Sequence, residues 1–497
     1  MKKMRFFFSI FLLFWLCVLP CFSQTTEAHN DYLHVFHSIS SHTLYNYVEK
    51  LASEEFGGRL TGTAGYDAAA AWCADLFQSW DIEPAGDKTS YFQNFNIPYT
   101  LVFPECKVDL LIPYKGDTIV KSYSYHDEFI PGATSASGEI TAEVVYAGYG
   151  ISAPELNYDD YKDIEVEDKI ILIEREVPVT PDKGEELFNK WRPYSFHQYK
   201  LKNAVRHGAR GMLYNYGPIV NPNNAYDPDF IYSHIGEEVV SDIFSGTRKK
   251  HSEVVENIKK SLRPQSFSTG KTITIQNSTE HHTEGKGANI IGFIKGYDEK
   301  VNREIIILGA HLDHLGYCYE IIPGANDNAS GVAVVLGAAH ALSRIKGQLR
   351  RSVLFILFGA EEQGVVGSKI FLENPPVPLK NVVCFFNFDG VGCGETIHAR
   401  AGKNYPVFCR YISAVNSTYI KREMQSYYTE NLARPRLDAS RFMWEGIPSI
   451  SFSVSGAPSY YHTPQDDIDT ITPEIMEDLT KIIFMSVVRI ANEEQIK

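Results

Sequence analysis

From Asn289 to Ser455 the chain alternates between continuous apolar runs and segments whose apolar residues recur three and four apart. The runs are "EIIILGA", "VLFILFGA", "VVCFFNF" and "SISFSV", rich in β-branched and aromatic residues, as expected of strands buried on both faces. Helical stretches such as "GVAVVLGAAHALSRI" and "YPVFCRYISAVN" lie between them. This alternation predicts an α/β fold with a mainly parallel sheet flanked by helices. Two further helices are predicted near the start, "TLYNYVEKLASEEF" and "YDAAAAWCADLFQSW". The Gly-rich "GGRLTGTAG" between them is a loop expected on a surface or lining a cleft.

Between Tyr91 and Ser268 the pattern shortens to strand-like runs, "KVDLLI", "AEVVYAGYG" and "KIILIE". One amphipathic helix, "QYKLKNAVRHGA", precedes the strand-like "RGMLYNY". The expected organisation is an N-terminal helical part over 24–90, an inserted β-rich module over 91–268, and an α/β core over 269–497. Residues 1–23 stand apart, with a basic start (Lys2, Lys3, Arg5), an apolar run from Phe6 to Leu19 and a polar exit. That layout predicts a secretory signal peptide and a secreted or periplasmic protein. A membrane anchor is the runner-up, the apolar run being short for a bilayer span, and lipid attachment at Cys21 is weaker still because Pro20 precedes it. No later stretch is apolar enough to span a bilayer.

The formal net charge of −14 argues against nucleic acid or anionic lipid as a partner, and loss of the basic leader makes the chain more acidic still. Cys73, Cys106, Cys318, Cys384, Cys393 and Cys409 lie beyond the leader and form no CxxC pair. An exported chain has room here for one or two disulfides, while Cys384, inside an apolar run, reads as core.

In open α/β sheets ligands bind beyond the carboxyl ends of the strands. "EIIILGA" is followed by His311 and Asp313, "VLFILFGA" by Glu361 and Glu362, and "VVCFFNF" by Asp389. The loop after "SISFSV" carries His462 in "YYHTPQDD", and Asp327 sits in "PGANDNASG" just before a helix. Singly, each has an ordinary explanation: a helix N-cap for Asp327, a strand-ending turn for Asp389, a surface site for His462. Together they bring histidine or carboxylate from five segments to one rim of one sheet. The set suits a pair of divalent metals, since zinc takes imidazole nitrogen and carboxylate oxygen, and two metals about 3.5–4 Å apart need a bridging ligand. Two histidines and three carboxylates nearly balance two such cations; a single metal would leave uncompensated acid in the crevice.

The motifs "HLD", "GANDNASG", "GAEE", "NFD" and "YHTPQDD", in this order, closely resemble those of the M28 co-catalytic zinc peptidases, mostly aminopeptidases with a phosphorylase/hydrolase-like α/β core. "LASEEFGGRLTGTAGYDAAAAW" resembles the family's N-terminal segment. The insert, with "VYAGYGISAPELNYDDY", "DKIILIERE" and "KNAVRHGARGMLY", looks like a protease-associated (PA) domain. The resemblance implies two zinc ions per chain and peptide substrates. His311 and Asp389 would hold one ion, Glu362 and His462 the other, and Asp327 would bridge them. Glu361 would be the general base that takes a proton from metal-bound water. Asp313 would accept a hydrogen bond from His311 and fix its tautomer. Asp466 is a candidate for the same service to His462, with a solvated loop acid the alternative. His314 is not used by the family pattern, and His281 and His282, in a polar linker, are expected to be solvated. The sequons at Asn277 and Asn416 matter only where exported proteins are glycosylated.

The function expected is that of an exported zinc exopeptidase releasing N-terminal residues, because an acid-rich crevice suits a cationic amino terminus. The alternative is a carboxypeptidase for acidic peptides, which needs cationic side chains in the pocket; Arg434 and Arg436 stand just before Asp438. A glutaminyl-cyclase-like activity fits less well, since such enzymes lack the insert and use one zinc. A non-catalytic, receptor-like protein would show broken ligands, and here all five and the base are present.

Overall fold

The computed structural model describes residues 32–221, 225–428 and 436–496. The four predicted apolar runs form the centre of a nine-stranded sheet, in the order Ser352–Phe358, Ile305–His311, Val382–Phe388, Ser449–Ser455, each parallel to the next. Every residue of Ile305–His311 and Ser352–Phe358 is buried, so these runs carry no polar alternation. Ile306, Leu308 and Ala310 point into one core, with the helices Ser41–Leu51, Ala64–Ser79, Ser330–Ser343 and Pro473–Asn492. Ile305 and Ile307 point into another, closed by Phe371 of Val366–Glu373 and Phe442 of Asp438–Trp444. The α/β expectation holds, with helices on both faces. Outside the parallel centre, Lys286–Ile294 pairs antiparallel with Ser352–Phe358, and Thr396–Arg400 antiparallel with Ser449–Ser455 but parallel with Met424–Ser426. The Pro473–Asn492 helix escapes the periodicity reading because its central "IIFMSVV" is apolar nearly all round.

The second module is built on an eight-stranded sheet with its own cores. Its strands run from Lys107–Tyr114 to Phe267–Asn277 and include Ile170–Glu174, Gly211–Asn215 and Ile231–Ile235. Its limits differ from 91–268. Phe92–Asn96 pairs with Lys286–Ile294 in the first sheet, and Phe267–Asn277 lies between Lys107–Tyr114 and Gly138–Tyr146 in the second. The change in hydropathic pattern does not mark which sheet a strand joins.

A small sheet of Tyr99–Val102, Thr279–His282, Tyr317–Cys318 and Glu320–Ile321 ties both stems of the module to the chain just after His311. His281 therefore sits in a strand, stacked on Tyr226 with centroids 3.7 Å apart and Nδ1 2.8 Å from Thr100 Oγ1, rather than free in solvent. His282 stacks on Tyr99. The six cysteines are all free, and Cys384 is buried as expected. Asn277 Nδ2 donates to the Tyr232 carbonyl and Asn416 Nδ2 to that of Arg422, so both sequon amides are internal donors. The expected signal peptide lies outside the described residues. Among those described, no helix is long and apolar enough to cross a membrane.

Candidate metal centre

The parallel strands deliver their carboxyl ends to one rim. Ile305–His311 has sequence-later strands on both sides, which makes its end the switch point where a crevice opens. His311 is the last residue of that strand. Ser352–Phe358 runs through Gly359 and the left-handed Ala360 (φ 54°) into Glu361 and Glu362. Asp389 directly follows Val382–Phe388, and Asp327 enters through the irregular turn Ala325–Ala329, whose Asp327–Asn328 peptide is cis.

These residues converge. His311 Nδ1 donates to the Asp313 carbonyl (3.1 Å), and its Nε2 faces Asp327 Oδ1 (3.3 Å) and Asp389 Oδ1 (3.7 Å). His462 Nδ1 donates to the Val220 carbonyl (2.7 Å), and its Nε2 faces Asp327 Oδ2 (3.4 Å) and Glu362 Oε2 (3.0 Å). A carbonyl can only accept, so both tautomers follow from the geometry. Asp327 thus offers one oxygen to each imidazole. Glu361 belongs to the same cluster, with a carboxylate oxygen within 4.8 Å of ligand atoms of His311 and Glu362.

Two expectations about the supporting acids need correction. The Asp313 carboxylate does not hold His311: its Oδ1 is 3.9 Å from Nδ1, and the main-chain oxygen of the same residue accepts instead. Its two oxygens accept from the amides of Glu361 (3.0 Å) and Glu362 (3.2 Å), gripping the acidic pair from behind. Asp466 does likewise for the amides of Asn326 (2.8 Å) and Asp327 (2.9 Å), while His462 Nδ1 bonds to Val220. Successive N–H groups at the start of a ligand-bearing loop need acceptors, and one carboxylate supplies two.

Three residues missed from sequence complete the surroundings. His314, set aside above, is fully buried, and its Nδ1 donates to Glu362 Oε1 (2.9 Å). Arg59, in the "GGRLTG" loop expected on a surface or lining a cleft, is also fully buried. Its guanidinium donates to the carbonyls of Leu312, Leu51, Pro323 and Gly324 at 2.7–2.9 Å, bracing the turns that carry His311 and Asp327. Asp438 is buried with both carboxylate oxygens lacking a hydrogen-bond partner among the described residues. The only sequence signals were the proximity of His314 to "HLD" and of Asp438 to two arginines; nothing local predicted their burial.

The electrostatics follow from this crowding. Burial disfavours charge on every group, yet the surrounding carboxylates hold His311 and His462 well above the ordinary imidazole pKa. Glu362, despite burial, is drawn down to about 2 by His462 and His314. Glu361 is pushed well above the carboxylate range, first by burial and then by Asp438, Glu362 and Asp389. Such a cage of buried acids calls for cations. Its nitrogen and oxygen donors suit zinc, whose ligands at about 2.0–2.2 Å in tetrahedral array stand about 3.3–3.6 Å from one another, close to the separations above. The cavity beside it measures about 540 Å³ and is lined by Glu361, Asp389, Arg192, Arg400, Arg436 and Tyr461 among others. Arg436 is held by Glu176 (3.0 Å) and Ser195 (3.2 Å) of the second module, while Arg434 lies outside the described residues.

Comparison with known proteins bears on this geometry. Residues 289–487 match the model of peptidase family M28. Aminopeptidase YwaD of Bacillus subtilis (strain 168) is 27% identical over 314 residues, covering 60% of this chain and 60% of that protein. A vacuolar membrane protease of Lodderomyces elongisporus is 26% identical over 206 residues, covering 41% of this chain and 19% of its own length. The chain thus spans less than two thirds of these curated relatives. Among solved structures, an aminopeptidase from Aneurinibacillus sp. strain AM-1 superposes with a TM-score of 0.66 at 21% identity, covering 93% of this chain and 97% of that one. BSAP, a zinc aminopeptidase from Bacillus subtilis, gives 0.59 at 21% identity, with 92% and 96% covered. At that identity the superpositions speak for the fold.

Proposed function

We propose that this chain, whose residues 289–487 match peptidase family M28, is an exported aminopeptidase working with two zinc ions. The observation that carries the reading is Asp327, whose two oxygens lie 3.3 and 3.4 Å from the Nε2 atoms of two different histidines. In this reading His311 and Asp389 would hold one ion, Glu362 and His462 the other, and Asp327 would serve both. Export rests on the character of residues 1–23, and the assignment of the second module as a PA-type domain rests on its motifs.

When bound, the metal pair supplies Lewis acidity at the scissile carbonyl and at the attacking water. Glu361, lining the cavity with a carboxylate oxygen within 4.8 Å of ligand atoms of His311 and Glu362, would take the proton of that water and return it to the departing amine. Its acid-crowded, buried setting raises its affinity for that proton. His314 and the Asp313 carboxylate hold Glu362 and its backbone in place; the Asp313 and Val220 carbonyls hold the imidazoles. The carboxylates on the wall match a cationic amino terminus.

One observation favours a second reading: Arg192, Arg400 and Arg436 line the same cavity, and cationic side chains there suit a substrate carboxylate. Metal analysis together with a panel of aminoacyl-aminomethylcoumarin substrates, with and without chelator, tests the proposal. Two zinc equivalents and chelator-sensitive release are expected, confined to substrates with a free amino group. Full activity in metal-free protein would end the proposal, and cleavage of amino-blocked peptides at an acidic carboxyl terminus would establish the second reading instead.

A further inference from the structure

We infer that the second module is a working part of the metal centre: its 217–221 turn holds His462 in place, and His234 is the positioning residue that holds that turn. This rests on the reading of His462 as a ligand. Val220, fully buried, pairs with His462 twice: its N–H donates to the His462 carbonyl (3.1 Å), and its own carbonyl accepts from His462 Nδ1 (2.7 Å). The second bond fixes the tautomer that leaves Nε2 free for a metal. The first pins the backbone of His462 where it has a left-handed φ of 59°, a conformation that a non-glycine residue keeps only under outside constraint.

The turn is itself tied down from within the module. The Gly217 N–H donates to the Ile235 carbonyl (3.2 Å), and His234 Nδ1 donates to the carbonyl of Ile219, the residue next to Val220 (2.6 Å). His234 is buried in the strand Ile231–Ile235, among His197, Tyr214 and Tyr232, with ring centroids 5.3–6.0 Å away. Burial pushes its pKa down to about 4, so the ring is neutral and its single proton is on Nδ1, committed to Ile219. The line of constraint runs from the His234 side chain through Ile219 and Val220 to His462.

Replacing a side chain that orients a metal ligand from behind costs about 10–100-fold in metal affinity. The experiment uses the full-length holoenzyme and reads zinc by competition with a chromophoric chelator. His234→Phe keeps the ring and loses the donor. It should retain one tightly held zinc, weaken the other 10–100-fold, and lower kcat at saturating zinc while KM stays. His234→Asn, which offers an amide N–H close to where Nδ1–H stood, should recover most of both. Tyr158→Phe is the control: it removes the hydrogen bond from Tyr158 to Asp160 elsewhere in the module and should lower stability without moving zinc affinity. Unchanged zinc binding in a folded His234→Phe, or an equal loss in Tyr158→Phe, would overturn the inference. Should His234→Phe fail to fold, His234→Gln, whose donor lies one bond further out, decides the matter by the same affinity measurement. A wild-type protein that binds fewer than two zinc ions would instead refute the reading of the site on which this rests.

Discussion

Glu361 and Glu362 are neighbours on one backbone, and their surroundings drive them in opposite directions. Glu362 meets two imidazoles and is held near 2, whereas Glu361 meets further acids and is lifted well above the usual range. On the function proposed above, the pair divides into a ligand and a proton carrier. Glu361→Gln should keep its zinc and lose turnover by about 10²–10⁴-fold, read by metal analysis beside initial rates; near wild-type turnover would remove Glu361 from the role. The same two amides make Asp313 sensitive to a one-atom change. In Asp313→Asn the side chain can accept one N–H but sets its own NH₂ against the other. Stability should fall by about 1–3 kcal/mol in thermal or urea unfolding, with weaker zinc binding alongside. A different arrangement serves the second module, where one oxygen of buried Asp160, Oδ2, accepts from the amides of both Tyr149 (3.0 Å) and Ile151 (3.1 Å).

At the level of elements, strands buried on both faces leave unbroken apolar runs. Ile305–His311, Ser352–Phe358 and Val382–Phe388, and the His and acid residues at their ends, could therefore be read from the sequence, whereas Ser449–Ser455 alternates serine with apolar residues. The antiparallel pairings could not, because nothing in "GANIIGFI" or "ETIHAR" fixes the direction of a strand relative to its neighbour. Arg59 was hidden for a related reason. A guanidinium belongs in the interior only where carbonyls converge, and those it meets come from three segments of chain. His314 likewise needs Glu362, 48 residues away, to explain its burial. Arg59→Met would leave four carbonyls without their donor. At about 1 kcal/mol or more for each, several kcal/mol of stability should be lost. Thermal unfolding should show this in zinc-free as well as zinc-loaded protein, since the loss precedes the metal.

For the molecule as a whole, the two modules should respond differently to pH. In the second module Lys200 is fully buried, with Nζ donating to the carbonyls of Tyr149 (2.7 Å) and Glu174 (2.6 Å), and burial pushes its pKa down to about 7 from 10.5. Between those values the unfolded chain binds a proton that the folded chain lacks, so stability contributed at this site rises with pH from about 7 to 10.5. Lys200→Met should flatten that rise; parallel curves of melting temperature against pH for the two proteins would refute it.

The bond between Val220 and His462 joins residues 242 positions apart, and such a contact forms late. A chain emerging from synthesis acquires His311, Asp327, the acidic pair and Asp389 well before His462, and His462 then needs an already folded partner to receive it. On the function proposed here, hydrolytic power arrives last. A half-made or half-threaded chain carries the parts of a peptidase without being one, and spares its own unfolded segments and those of its neighbours until both modules have closed.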